Sequence, residues 1–175
     1  KYLFDQYVRN YKNSSKNQVV GLRYFNAAGA DPEAEVGELR EKETHIIPLA
    51  IEACRQNKTF KLFGTKYPTE DGTCVRDYVH VMDLADAHVK ALNFTNDNNC
   101  SEIFNLGSGA PCSNKDLLDA VQRHTGKMDI KFEPNRDKLS TKSFWVDITN
   151  VSKLSFCFTN CSTVIFNDSF FFFNS

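Results

Sequence analysis

Residues 74–80 read CVRDYVH, and they crowd Arg76, Asp77, Tyr78 and His80 into one short segment. In an extended chain, successive side chains point to opposite faces. Val75, Asp77, Val79 and Val81 then share one face, and Cys74, Arg76, Tyr78 and His80 share the other. A guanidinium can grip phosphate oxygens through two parallel hydrogen bonds, each charge-assisted contact contributing about 1.5–3 kcal/mol. The tyrosine beside it adds a hydroxyl. The segment therefore reads either as an anion-binding strand or as a surface strand whose arginine pairs with Glu70 or Asp71.

Two further stretches, RYFNAAGA at 23–30 and IFNLGSGA at 103–110, each place an asparagine at the end of a strand-like run. In open α/β sheets ligands sit beyond the carboxyl ends of the strands. Asn26 and Asn105 could each donate an amide to a ligand or cap their own loop. Neither glycine loop completes a G-x-G-x-x-G fingerprint, so neither is read as a phosphate cradle. His45, His80, His88 and His124 lack metal-ligand spacing, and no metal is expected. No Ser-His-Asp set and no paired carboxylates stand out.

These side chains need a frame, and the periodicity supplies one. Leu3, Phe4, Tyr7, Val8 and Tyr11 share a helical face, so the chain opens inside a helix. Residues 19–25 read as a buried strand, and 31–44 as a polar, acidic loop. Pro48 suits the first turn of a helix running to about residue 56. Strands are expected at 60–63 and 74–81. Asp83 with Asp86 suggests a capped helix to residue 92, and a strand follows at 102–106. Ser113 with Asp116 suggests a second cap, with Gly126 as the stop. Met128, Ile130 and Phe132 alternate as a strand does. Strand–helix alternation of this kind favours a layered α/β fold.

The 175 residues suffice for an ordinary domain with a sizeable core. A net charge of −1 gives no basic excess for a nucleic-acid partner. No run approaches the roughly 20 apolar residues of a membrane helix. The six cysteines form no zinc-type pairs, which fits free thiols in a reducing compartment. Residues 155–175 hold seven of the fifteen phenylalanines and no lysine or arginine. This atypical tail is an aggregation hazard and reads as foreign to the domain before it.

Taken together, RYFNAAGADP, THIIPLA, LFGTKYPTEDGTCVRDYVHVMDLADAH and IFNLGSG resemble the UDP-glucose 4-epimerases, a family of extended short-chain dehydrogenase/reductases. The likeness runs over about residues 1–154. It implies the C-terminal part of a Rossmann-type doubly wound sheet plus a smaller mixed α/β substrate-binding domain. Residues 1–30 and 80–110 would be the remnant of the NAD-binding part, and 31–79 and 111–154 the UDP-sugar part. The implied reaction interconverts UDP-glucose and UDP-galactose through C4 oxidation by NAD, rotation of a 4-keto sugar and re-reduction. The resemblance also implies a cytoplasmic homodimer.

KYLFDQY matches the segment that follows the family's Tyr-x-x-x-Lys motif. Lys1 would then be the lysine that lowers the catalytic tyrosine's pKa and holds the cofactor ribose, with the tyrosine upstream of this chain. Phe25 would lie against the nicotinamide. Asn26 would contact the UDP-sugar, and His45 and Ile46 the diphosphate and sugar. Lys61, Leu62 and Phe63 would flank uracil. Arg76 would hold the diphosphate with Tyr78 beside it, and Asp77 would anchor a neighbouring loop. Where the family has arginine, an aspartate three residues later and an aromatic before tryptophan, this chain reads NRDKLSTKSFW. Arg136 matches the second phosphate cation, Ser140 stands near the aspartate's place, and Phe144 matches the gate beside the sugar. The implied alternatives are a non-catalytic UDP-sugar-binding module and a related nucleotide-sugar dehydratase or decarboxylase.

Overall fold

The computed structural model describes residues 2–11, 18–98, 101–134 and 143–144. Strand β1 (Val20–Tyr24) pairs in parallel with β5 (Glu102–Leu106), Leu22 opposite Phe104. Parallel strands bury both faces and need a helix on each. Helix α1 (Tyr2–Tyr11) covers one face, where Phe4 and Ile103 meet over Gly21. The ion pair of Asp5 with Arg23, at 2.5 Å, fixes α1 to the end of β1. Helix α3 (Val81–Asn98) covers the other face. There Leu84 and Ala87 pack with Val79, Leu106 and Leu22, and Phe94 meets Phe104 edge-on.

Strand β4 (Val75–His80) is the centre of a second sheet. It pairs in parallel with β2 (Asn26–Ala28) and β8 (Ser143–Phe144), and antiparallel with β6 (Pro111–Ser113). The third sheet is the parallel pair of β3 (Phe60–Phe63) and β7 (Ile130–Glu133). Helices α2 (Ile46–Arg55) and α4 (Asn114–Thr125) pack on each other beside it. Ala50, Ile51, Cys54, Leu62, Leu117, Leu118, Val121 and Tyr78 form the larger core. Alternate residues of β4 thus serve two cores: Val79 belongs to the β1–β5 layer and Tyr78 to the α2–α4 layer.

The expected cap of α4 is present. Ser113 Oγ accepts from Asp116 N at 3.0 Å, and Asp116 Oδ2 accepts from Ser113 N at 3.3 Å. Ser113→Ala leaves the Asp116 N–H without its acceptor and should cost about 1–2 kcal/mol, read as a lower urea midpoint with an unchanged slope. An unchanged midpoint would show that water replaces the hydroxyl at no cost.

Three local expectations are corrected. Residues 26–28 form a strand rather than the start of a loop. Asp83 is not a cap, because α3 starts at Val81 directly off β4 and places Asp83 in its first turn. There the carboxylate complements the helix dipole. The same helix continues past residue 92 to Asn98, where Thr95 and Asn98 side chains bond back to the Leu92 and Phe94 carbonyls. The 155–175 tail lies outside the described residues.

Candidate functional site

A cavity of about 470 Å³ opens where β1 passes into β2 and the chain turns toward α2. Its walls are Tyr24 to Gly29 on one side, the Ile46, Ile47 and Ile51 face of α2 on another, and Tyr78 from β4. Asp31, Glu38, Glu43, Thr44 and His45 complete its rim. Gly29 has φ +90°, and a Cβ there would come within 2.4 Å of His80 Nε2, so only glycine lets the loop lie against that ring.

Of the residues singled out in the sequence, Phe25, Asn26, His45, Ile46 and Tyr78 line this cavity. Asn26 neither caps its loop nor keeps its whole amide for a ligand: Nδ2 donates to the Asp77 carbonyl at 2.9 Å, across the β2–β4 pair. Tyr78 is buried, and burial pushes its phenol well above the ordinary range, so it stays a proton donor. Asn105 is not at the cavity; its side chain accepts from Arg23 Nη1 at 3.5 Å.

Arg76 lies outside the cavity lining, on the Tyr78 face of β4, with the Phe144 backbone opposite it in β8. Pairing with Asp71 does not occur. Asp71 instead accepts from Thr73 N at 2.7 Å and Thr73 Oγ1 at 2.8 Å. Arg76 Nη1 donates to the Val75 carbonyl at 2.9 Å, and the guanidinium makes no ion pair among the described residues. Cys112 sits opposite Arg76, and burial pushes its thiol up to about 11, so it is no nucleophile at neutral pH.

The Leu62 side chain is in the larger core, because the burial alternation of β3 turns it inward. Lys61 and Phe63 point the other way and also lie outside the cavity lining. Lys1 and Arg136 lie outside the described residues, and Phe144 is described in its backbone alone.

Asp77 does anchor a loop. It is fully buried, and its Oδ1 accepts from Ser108 N at 2.9 Å and Ser108 Oγ at 2.8 Å. Its Oδ2 accepts from Gly109 N at 3.3 Å. A Cβ on Gly107 would come within 2.7 Å of that carboxylate, so the GSG turn can wrap it only as glycine. The turn then delivers β6 to the edge of β4.

The acidic rim has no counterpart in the motif reading. Glu43 Oε1 accepts from Thr44 N at 2.6 Å and His45 N at 2.7 Å, at the start of α2. The main-chain N–H of His45 is the main cause that holds this carboxyl below its usual range. Glu38 pairs with Arg40 and lies 3.2 Å from His45 Nδ1. Local spacing does not predict this group, since a folded loop with no periodicity brings residues 38, 43 and 45 together.

The sequence profile of the NAD dependent epimerase/dehydratase family matches residues 1–107. The UDP-glucose 4-epimerase of Rhizobium meliloti (strain 1021) is 50% identical over 124 residues, which are 70% of this chain and 38% of that protein. Among solved structures, the UDP-glucose-4-epimerase of Stenotrophomonas maltophila, with bound NAD and formylated UDP-arabinopyranose, superposes with a TM-score of 0.77 at 34% identity. That match covers 84% of this chain and 45% of the other. The Bifidobacterium longum UDP-glucose 4-epimerase, in complex with NAD⁺ and UDP, gives 0.70 at 29% identity, covering 84% of this chain and 44% of that one. The chain thus spans less than half the length of these relatives.

Proposed function

Because the chain belongs to the NAD dependent epimerase/dehydratase family, we propose that it is the sugar-nucleotide portion of an epimerase that interconverts UDP-glucose and UDP-galactose. The observation that carries this reading is the convergence of Phe25, Asn26 and Tyr78 on one cavity, with Arg76, which makes no ion pair among the described residues, on the same face of β4 as Tyr78. Arg76 binds the diphosphate, Tyr78 donates its hydroxyl, and Asn26 meets the sugar with the part of its amide that Asp77 leaves open. Lys61 and Phe63 flank the uracil by their side chains, and Leu62 by its main chain. Arg136 is the second phosphate cation, and Phe144, brought opposite Arg76 by β8, is the gate beside the sugar.

NAD supplies the acceptor and donor of the hydride when bound. The described residues fit one end of it. Phe25 gives the nicotinamide an apolar wall, whereas no G-x-G-x-x-G turn follows a strand among the described residues. Lys1 lowers the pKa of an acid/base tyrosine four positions upstream. In this reading residues 1–30 and 80–110 belong to the cofactor part, and 31–79 and 111–154 to the sugar part. The two separate cores meeting at β4 support that division. The whole protein is a cytoplasmic homodimer. Exposed Leu3, Phe4 and Tyr7 on α1 support an apolar interface there, and among the described residues no helix is long and apolar enough to cross a membrane.

The test joins the N-terminal segment of the Rhizobium meliloti relative to residues 1–154 and the relative's own C-terminal end. Conversion of UDP-galactose to UDP-glucose is expected, and it should disappear when the tyrosine four positions before Lys1 becomes phenylalanine. A folded fusion that binds NAD and does not epimerise would refute the reading.

A further inference from the structure

His80 ends β4, and α3 begins at the next residue. Its Nδ1 accepts from Met82 N at 3.2 Å, which caps the first turn of α3. The ring also lies against the end of β2, where Ala28 is the ladder partner of His80. A Cβ on Gly29 would come within 2.4 Å of Nε2 and 2.5 Å of Cδ2, so the loop after β2 rests on the edge of the ring. Ala28 and Gly29 line the cavity, and His80 does not. Resting on the nucleotide-sugar reading above, we propose that His80 is a positioning residue: its ring sets where the Ala28–Gly29 wall meets the sugar, and its Nδ1 ties that wall to α3.

Gly29 has no side chain with which to hold its own place, and glycine carries the largest backbone freedom of any residue. Two constraints therefore fix this wall: the β2–β4 ladder, which ends at Ala28, and the ring beside Gly29. The ring is itself fixed, because it is half-buried and its Nδ1 is bonded to the start of α3. Without the ring, the loop faces a gap and samples several positions. The sugar must then order the wall as it binds, which should weaken its binding about 3- to 10-fold. In the proposed reading Arg76, Lys61 and Phe63 hold the diphosphate and uracil from outside the cavity lining, so their share of the affinity stays the same.

Crossed substitutions separate the support from the cap. H80S keeps a hydroxyl acceptor at the start of α3 and removes the ring. H80Q gives up Nδ1 and keeps an amide that reaches toward the place of Nε2. Calorimetric titration of the chain with UDP and with UDP-glucose is the first measurement. The ratio of UDP-glucose to UDP affinity should fall about 3- to 10-fold in H80S, and it should hold its wild-type value in H80Q. A general loss of stability would move both ligands together, so this ratio reads the wall alone. The second measurement needs no ligand. G29A should lower the urea midpoint more in the wild-type chain than in H80S, because the added Cβ meets the ring only in the first. A ratio that holds in H80S or falls equally in H80Q, or equal midpoint shifts in the two backgrounds, would sink this inference and leave the nucleotide-sugar reading standing. Binding of neither ligand by the wild-type chain would overturn that reading, and the midpoint comparison would still decide whether the ring holds the loop.

Discussion

Replacing Asp77 with alanine should destabilise the chain by about 3–5 kcal/mol, the largest stability effect expected of any single substitution here. The carboxylate is fully buried and satisfies three donors, Ser108 N, Ser108 Oγ and Gly109 N. Each buried donor left without an acceptor costs about 1–3 kcal/mol, and water entering the gap recovers part of the sum. A domain of this size has a total stability of only about 5–15 kcal/mol. Asp77→Asn should be milder, since Oδ1 can still accept from Ser108 while its NH₂ faces the Gly109 N–H. Urea denaturation orders the three proteins, and hydrogen exchange at Ser108 and Gly109 shows where the loss occurs. A melt of the alanine variant that coincides with the wild-type curve would mean that the GSG turn holds itself.

Arg76→Ala is the complementary case, with a large effect on binding and a small one on folding. The guanidinium makes one hydrogen bond, to the carbonyl of the preceding residue, and no ion pair among the described residues. Its removal should therefore change the melting midpoint little. If Arg76 is the diphosphate cation, UDP affinity should fall about 10- to 100-fold, the loss of one or two charge-assisted bonds. Arg76→Lys should recover only part of this, because an ammonium cannot reproduce the planar bidentate grip. Unchanged UDP affinity in the alanine variant would remove Arg76 from the site and leave Tyr78 and Asn26 without a phosphate anchor beside them.

The two substitutions are neighbours in sequence and opposite in consequence, and the pleat of β4 is the reason. Odd positions face the β1–β5 layer and its loop, and even positions face the cavity side. One strand therefore holds a structural carboxylate and the proposed diphosphate cation side by side. Each polar group of the strand has its own surroundings: Asp77 accepts from Ser108 and Gly109, Tyr78 lines the cavity, His80 accepts from Met82 N, and Arg76 donates to the Val75 carbonyl.

Much of this was legible in the sequence because it depends on local spacing. The alternation in 74–80 gave the two faces of β4, and Ser113 with Asp116 gave the start of α4. The runs at 20–24 and 102–106 gave two strands, each with one buried residue, Gly21 and Leu106, so the first is less buried than expected. The resemblance carried by RYFN, THIIP and TEDGTCVRDYVHV gave the family that the matching profile shows. What the tertiary structure decided are the facts that depend on distance along the chain. Asn26 spends part of its amide on a carbonyl 51 residues away. Asp77 binds a turn 31 residues on. Leu62 faces the core, and Arg76 stands outside the cavity its neighbour Tyr78 lines. The acidic rim forms because an aperiodic loop folds back on the start of α2. Periodicity reports which way a side chain points within its own element; only packing decides what it meets.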